Sequence, residues 1–183
     1  MAEKKKVLVL LAEGFEEIEA VTVIDVLRRA EIEVQSASLN GTKVTGSHGI
    51  ALVADATLDD VEEQMFDAVV LPGGMPGARH LRESHAVLNL LRDAAHKGKF
   101  VAAICAAPTA LDVAGVLKGR RATSYPGHEL TSADYVEEPV VVDGNIITSR
   151  GPGTAFDFSL KLVEKLVGPE VAELHRDRLL LSS

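Results

Sequence analysis

The sequence predicts an α/β fold with a mainly parallel central sheet, and three observations carry that prediction. Strand-like and helix-like segments alternate with short connections, the order that right-handed βαβ units require. Several of the strands are unbroken aliphatic runs, which marks strands covered on both faces. The 183 residues are 46% hydrophobic with no Trp, enough aliphatic surface for one well-packed domain over residues 1–183.

Each element follows from its own pattern. Residues 7–12 form a continuous aliphatic run, the first buried strand, and Glu13-Gly14-Phe15 turns the chain. Residues 16–30 carry Ile18, Val21, Val23, Ile24, Val26 and Leu27 at helical spacing, with Arg28 and Arg29 complementing the helix dipole. Residues 32–39 alternate as a second strand, Asn40-Gly41 turns, and residues 44–53 read as a hairpin-like excursion. Residues 67–71 are another buried strand ending at Pro72-Gly73-Gly74, residues 76–97 read as one helix, and residues 100–104 are the next strand. Ala106 then opens a helix that tolerates Pro108 in its first turn. Residues 140–148 read as two short strands around Asp143-Gly144-Asn145, and residues 152–166 and 169–181 as helices parted at Gly168-Pro169.

Composition excludes several function classes. A net charge of −8 and the lack of a basic stripe argue against nucleic-acid binding. A single cysteine makes no internal disulfide, and residues 7–12 are too short for a secretory leader, so the cytoplasm is the expected compartment. No apolar stretch reaches the length of a membrane span.

Chemistry concentrates where strands end, the place at which open parallel sheets bind ligands. Glu13 to Glu19 follow the first strand, Pro72-Gly73-Gly74 the strand at 67–71, and Cys105 the strand at 100–104; the three should converge. Cys105 lies at a strand-to-helix turn, the geometry of a nucleophile elbow, and backbone N–H groups there favour thiolate over thiol. A buried cysteine that merely packs as a small hydrophobe is the alternative. Glu16, Glu17 and Glu19 crowd a first helical turn, where acids ordinarily complement the dipole. Glu19 falls toward the sheet-facing side, where desolvation would keep its carboxyl protonated and able to donate to a thiolate or relay a proton. Gly73 and Gly74, with the N–H of Ala106, could form an oxyanion site, or Pro72-Gly73-Gly74 could be an ordinary turn. Neither a phosphate loop nor a dinucleotide fingerprint is present. The six histidines are scattered without metal-ligand spacing, so no metal is expected, and no histidine is evident as a base for Cys105. His128 could reach the crevice or lie in a surface loop.

Four segments together resemble the ThiJ/PfpI superfamily, and within it the parkinsonism-associated deglycase branch of the DJ-one proteins and bacterial YajL. They are residues 12–20, Val70-Leu71-Pro72-Gly73-Gly74, residues 102–108, and Thr148-Ser149-Arg150-Gly151-Pro152-Gly153-Thr154. The resemblance implies a flavodoxin-like three-layer sandwich and a homodimer. It also implies an oxidisable nucleophile at Cys105, a protonated partner at Glu19, and oxyanion donors at Gly74 and Ala106. Glu16 and Tyr125 are further candidates for substrate binding. Two positions depart from the family pattern. Tyr125 precedes Pro126 where animal members carry histidine, and Ala106 follows the cysteine where the intracellular proteases carry histidine. Proteolysis is therefore not expected. The implied activity is conversion of dicarbonyls such as methylglyoxal and glyoxal to 2-hydroxy acids, or deglycation of their protein, nucleotide or thiol adducts, with no cofactor. A redox-sensing, stress-protective chaperone acting through Cys105 oxidation is the rival reading, and a glutaminase-like use of His128-Glu129 a remote third.

Overall fold

Lys6–Leu11 (β1) is an interior strand of the sheet, and its side chains divide between the two faces as a pleated strand requires. Leu8 and Leu10 join the core on one face, while Val7, Val9 and Leu11 join the core on the other. The computed structural model describes residues 4–61 and 64–182. From β1 the chain runs through Glu17–Arg29 (α1), Glu33–Ser38 (β2), the hairpin Lys43–Thr45 (β3) and Ala51–Val53 (β4), Ala56–Thr57 (β5) and Leu58–Val61 (α2). Ala68–Leu71 (β6), Gly77–Glu83 (α3), His85–His96 (α4), Phe100–Ile104 (β7) and Pro108–Val113 (α5) follow. Arg121–Ala122 (β8), Asp134–Tyr135 (β9), Val140–Asp143 (β10), Ile146–Ser149 (β11), Ala155–Val167 (α6) and Pro169–Arg178 (α7) complete the described chain.

The seven-stranded sheet has the order β10-β11-β7-β6-β1-β2-β5. Every pairing in it is parallel except β10 with β11, whose tight turn permits only an antiparallel return. Residues of α2, α3, α4 and α5 cover one face, and residues of α1 and α6 cover the other. The strand order reverses between β1 and β6, because β2 lies on one side of β1 and β6 on the other. The helices that follow β1 and β6 cover opposite faces, and the loops leading to them meet beyond the carboxyl ends of the strands, where such folds place a site.

Several boundaries differ from the sequence reading. The helix expected over 76–97 is two helices, because Ser84 adopts an extended conformation and its hydroxyl caps α4 by accepting from Val87 N. The helix expected from Ala106 begins at Pro108, after a turn of residues 105–107. The segment expected as helix from residue 152 opens with a 3₁₀ turn over Pro152–Thr154. The helix expected to reach residue 181 ends at Arg178, with Leu180 in the left-handed region. The short elements β5, α2, β8 and β9 have no counterpart in the sequence reading.

Candidate active site

Cys105 closes β7, and its backbone φ of 66° is the left-handed conformation that an elbow imposes on a non-glycine residue. Two backbone bonds hold it there: Cys105 N donates to the Ser149 carbonyl at 3.0 Å, and Tyr125 N donates to the Cys105 carbonyl at 2.8 Å. Cys105 is 9% exposed and packs against the core beneath α1 and α6.

Glu19 arrives from the first turn of α1 and is fully buried. Its Oε2 accepts the Gly73 N–H at 2.7 Å, while Oε1 is buried with no hydrogen-bond partner among the described residues. Gly73 packs against both groups. A Cβ at that position would stand 2.6 Å from the Cys105 Cβ and 2.8 Å from Glu19 Oε2, so no side chain larger than hydrogen fits. Gly74, at φ 86°, presses on the backbone of Phe15 and Glu16 in the loop after β1, and Glu16 N donates to the Gly73 carbonyl at 2.8 Å. Gly14, at φ 84°, meets Pro76 in the same interlock. The loops after β1 and β6 are thereby locked face to face.

Burial pushes the Glu19 carboxyl up to about 7, and the Glu16 charge adds to it, against the Gly73 amide and Cys105, which pull it down. Burial, then the charge of Glu19 and its hydrogen bond, push the Cys105 thiol up to about 12. The amides of Gly74 and Ala106 point at the sulfur and oppose that rise without overcoming it. Burial beside a carboxylate thus opposes what the elbow and its two amides favour. Such a pair titrates as a unit. A proton on Glu19 removes the charge that opposes a thiolate at Cys105.

Of the expected site residues, the structure brings Cys105, Glu19, Gly73, Gly74 and Ala106 together. Glu16 is used differently. Its Oε2 accepts from Glu19 N at 2.7 Å and caps α1. The capping bond fixes the residue that faces Cys105. Glu17 is buried too, and although burial raises its pKa, hydrogen bonds from His48 and Ile50 bring it below the usual carboxylate value. Ligand atoms of Glu16, Glu17 and His48 come within 4.8 Å of one another, a proximity invisible in sequence spacing. Glu17 receives His48 N at 2.7 Å and faces His48 Nδ1 at 3.1 Å, so a structural bond between loop and helix accounts for the cluster.

Tyr125 joins the site through its backbone, and its ring lies over Gly151, where a Cβ would be 3.1 Å from Cδ2. The ring borders a cavity of about 400 Å³ that also holds Arg150 and Gly151 to Thr154. Tyr125 and Glu137 also border a second cavity of about 410 Å³ that includes His128. Sequence reasoning finds no role for Arg150 beyond its place in a motif, nor for the Gly14–Pro76 contact. A larger cavity, about 560 Å³, opens among Glu13, Ser38, Asp59 and His80 and contains neither Cys105 nor Glu19.

Residues 5–165 match the model of the DJ-1/PfpI family. The chain is 47% identical over 171 residues to Protein dj-1beta of Drosophila melanogaster, covering 91% of each. The chain belongs to the DJ-1/PfpI family. Its fold matches the crystal structure of Drosophila melanogaster DJ-1beta with a TM-score of 0.96 at 45% identity, over 99% of this chain and 100% of the other. The architecture is the flavodoxin-like α/β sandwich that the four motifs implied. Another member, from Caenorhabditis elegans, is named glutathione-independent glyoxalase DJR-1.2 and is 38% identical over 174 residues, 93% of each chain. Protein DJ-1 homolog B of Arabidopsis thaliana is 45% identical over 169 residues, which is 90% of this chain but 39% of that protein. The chain thus spans about two fifths of that DJ-1 relative. Among the described residues no helix is long and apolar enough to cross a membrane.

Proposed function

We propose that this protein converts small dicarbonyls such as methylglyoxal and glyoxal to 2-hydroxy acids, and releases amines from the adducts those dicarbonyls form. The observation that carries the reading is that Glu19 and Cys105 meet where Gly73 has no side chain, a Cβ there standing 2.8 Å from Glu19 Oε2 and 2.6 Å from Cys105 Cβ, with burial pushing the carboxyl up to about 7. With the proton on Glu19, the Cys105 thiolate attacks the aldehyde carbon and forms a C–S bond. The former carbonyl oxygen becomes an oxyanion, and N–H groups of Gly74 and Ala106, which already point at the sulfur, are placed to hold it. After that oxygen is protonated, the Glu19 carboxylate removes the hydrogen on the same carbon and returns it to the neighbouring carbon through an enediol. The aldehyde carbon is oxidised to a thioester and the ketone carbon reduced to an alcohol. The reaction is redox-neutral within the substrate and asks for no cofactor. Water cleaves the thioester, giving the 2-hydroxy acid and restoring the thiol.

The name of the nematode relative supports this chemistry by family analogy. One free cysteine in the chain fits a reducing compartment, and we place the reaction in the cytoplasm. The test is lactate formation from methylglyoxal without glutathione. Wild type should form lactate and Cys105→Ser should fall to background; equal rates in the two would defeat the reading.

One observation favours a second use of the same site. Glu19 Oε1 is buried without a partner among the described residues, and when protonated it could donate to a sulfinate formed by peroxide on Cys105. Oxidation would then be a signal rather than a loss of activity.

A further inference from the structure

The left-handed turn at Cys105 has to be held from outside, because a non-glycine residue keeps a φ of 66° only where its surroundings leave it no alternative. The two bonds that hold it trace back to neighbouring residues of one strand. The Cys105 N–H reaches the carbonyl of Ser149, the last residue of β11. The Cys105 carbonyl accepts from Tyr125 N, and Tyr125 closes a segment, residues 123–125, that begins where β8 ends. Thr123 stands outside the strands, so its N–H has no ladder partner. It donates instead to the side-chain hydroxyl of Thr148, the other residue at the end of β11, at 2.9 Å.

That bond lies in full burial. Thr123, Ser124, Thr148 and Ser149 are all 0% exposed. A buried N–H without an acceptor is costly, so the Thr148 oxygen is a fixed requirement of this backbone path. The Thr123 hydroxyl makes no hydrogen bond among the described residues, and the backbone N–H is therefore what anchors Thr123. Ser149 is fixed by its own side chain, whose Oγ donates to the Pro139 carbonyl at 2.7 Å and meets Thr154 Oγ1 at 2.6 Å. One side of the elbow thus rests on the Ser149 backbone. The other rests, through Tyr125 and Thr123, on the Thr148 side chain.

We propose that Thr148 is a positioning residue for Cys105: its hydroxyl, through the amides of Thr123 and Tyr125, keeps the elbow turned so that the sulfur faces the amides of Gly74 and Ala106. The proposal rests on the reading of Cys105 as the nucleophile and deepens it. The Thr148 hydroxyl is bonded to Thr123 rather than to Cys105 or Glu19, so its effect on the sulfur travels through the backbone.

Thr148→Val has nearly the same shape and lacks the oxygen, whereas Thr148→Ser keeps it. Alkylation of Cys105 by iodoacetamide across pH reads the sulfur without any dicarbonyl chemistry. Thr148→Val should alkylate about tenfold more slowly near neutral pH, with its profile moved to higher pH, because the two amides that favour thiolate are no longer aimed. Thr148→Ser should stay within about twofold of wild type. Thr123→Val, which removes only an unbonded hydroxyl, should leave the profile where it is. In the lactate assay the loss in Thr148→Val should fall on kcat, with KM changed less than about twofold. Alkylation unchanged or faster in a folded Thr148→Val, or a Thr148→Ser as impaired as Thr148→Val, overturns the assignment. Should Thr148→Val not fold, wild type decides by amide exchange. Thr123 and Tyr125 should lose protection together as urea is raised, and a Tyr125 amide that opens while Thr123 stays closed overturns the link. Absence of lactate from wild type, with the alkylation shift intact, would defeat the reaction and leave the positioning role standing.

Discussion

Glu19 carries a cost that makes its protonation visible in stability. In an unfolded chain it ionises near 4.5, whereas the folded protein holds the proton up to about 7. Between those values the folded state binds a proton that the unfolded state has released, so stability falls as pH rises through that window. The full loss is about 3 kcal/mol, and below the unfolded value the group contributes nothing. Glu19→Gln keeps an acceptor for Gly73 N but has no proton to lose. Urea unfolding should therefore show the variant gaining on wild type between about pH 4.5 and 7 and holding a constant advantage above that. A difference independent of pH would mean that Glu19 is charged in the folded protein. Cys105 obeys the same logic from the other side. Its thiol is pushed up to about 12 while Glu19 is a carboxylate, and a proton on Glu19 removes the charge that opposes the thiolate.

At the scale of elements, α1 is the part that aims the site. Glu16 caps it through a 2.7 Å bond to Glu19 N, so Glu16→Ala removes both the cap and a negative charge near Glu19. Chemical denaturation should show a loss of about 1 kcal/mol, the usual size of an N-cap deletion. Titration of the site should move down, because the repulsion that helps raise Glu19 is gone. The elements that build this geometry are legible in the sequence for a definite reason. β1, β6 and β7 are covered on both faces, and only continuous aliphatic runs survive such burial. The break at Ser84 is not legible, because serine interrupts a helix only when its hydroxyl finds an amide to cap. Nor are β8 and β9, which are two residues each and have no period to read. The site divides in the same way. Cys105 stands out because it sits where a strand ends, and Glu19 because it lies in the first turn of the helix that follows one. Gly73 reads as a source of amides, whereas the contact that excludes a side chain there belongs to the folded packing alone. Glu16 reads as a pocket residue, and only the structure shows its carboxylate turned back on its own helix.

For the whole molecule, the homodimer that the family resemblance implies needs an apolar face, and the apolar residues of α1 divide once the chain is folded. Val23 and Leu27 are fully buried within the protein, while Ile18 and Val21 remain exposed. The β3–β4 hairpin adds exposed Ile50 and Val53, and hydrogen bonds from His48 and Ile50 to Glu17 tie the residues before β4 to the start of α1. Exposed aliphatics gathered from two elements suit a self-complementary contact, and we propose that this face makes the homodimer. Sedimentation at micromolar concentration should give twice the 19.5 kDa chain mass, and Val53→Glu should shift it toward one chain. A monomeric wild type would count against the assembly. The account as a whole stands on Cys105 and Glu19 sharing one proton during turnover. Its most direct test is Glu19→Gln read two ways on one preparation, by the alkylation rate of Cys105 and by lactate formation from methylglyoxal. The account predicts a thiol that still alkylates readily while turnover falls at least about a hundredfold, the scale of losing a positioned acid–base group. Near wild-type turnover in Glu19→Gln would contradict it, leaving Glu19 a structural neighbour of Cys105 and the proton relay elsewhere.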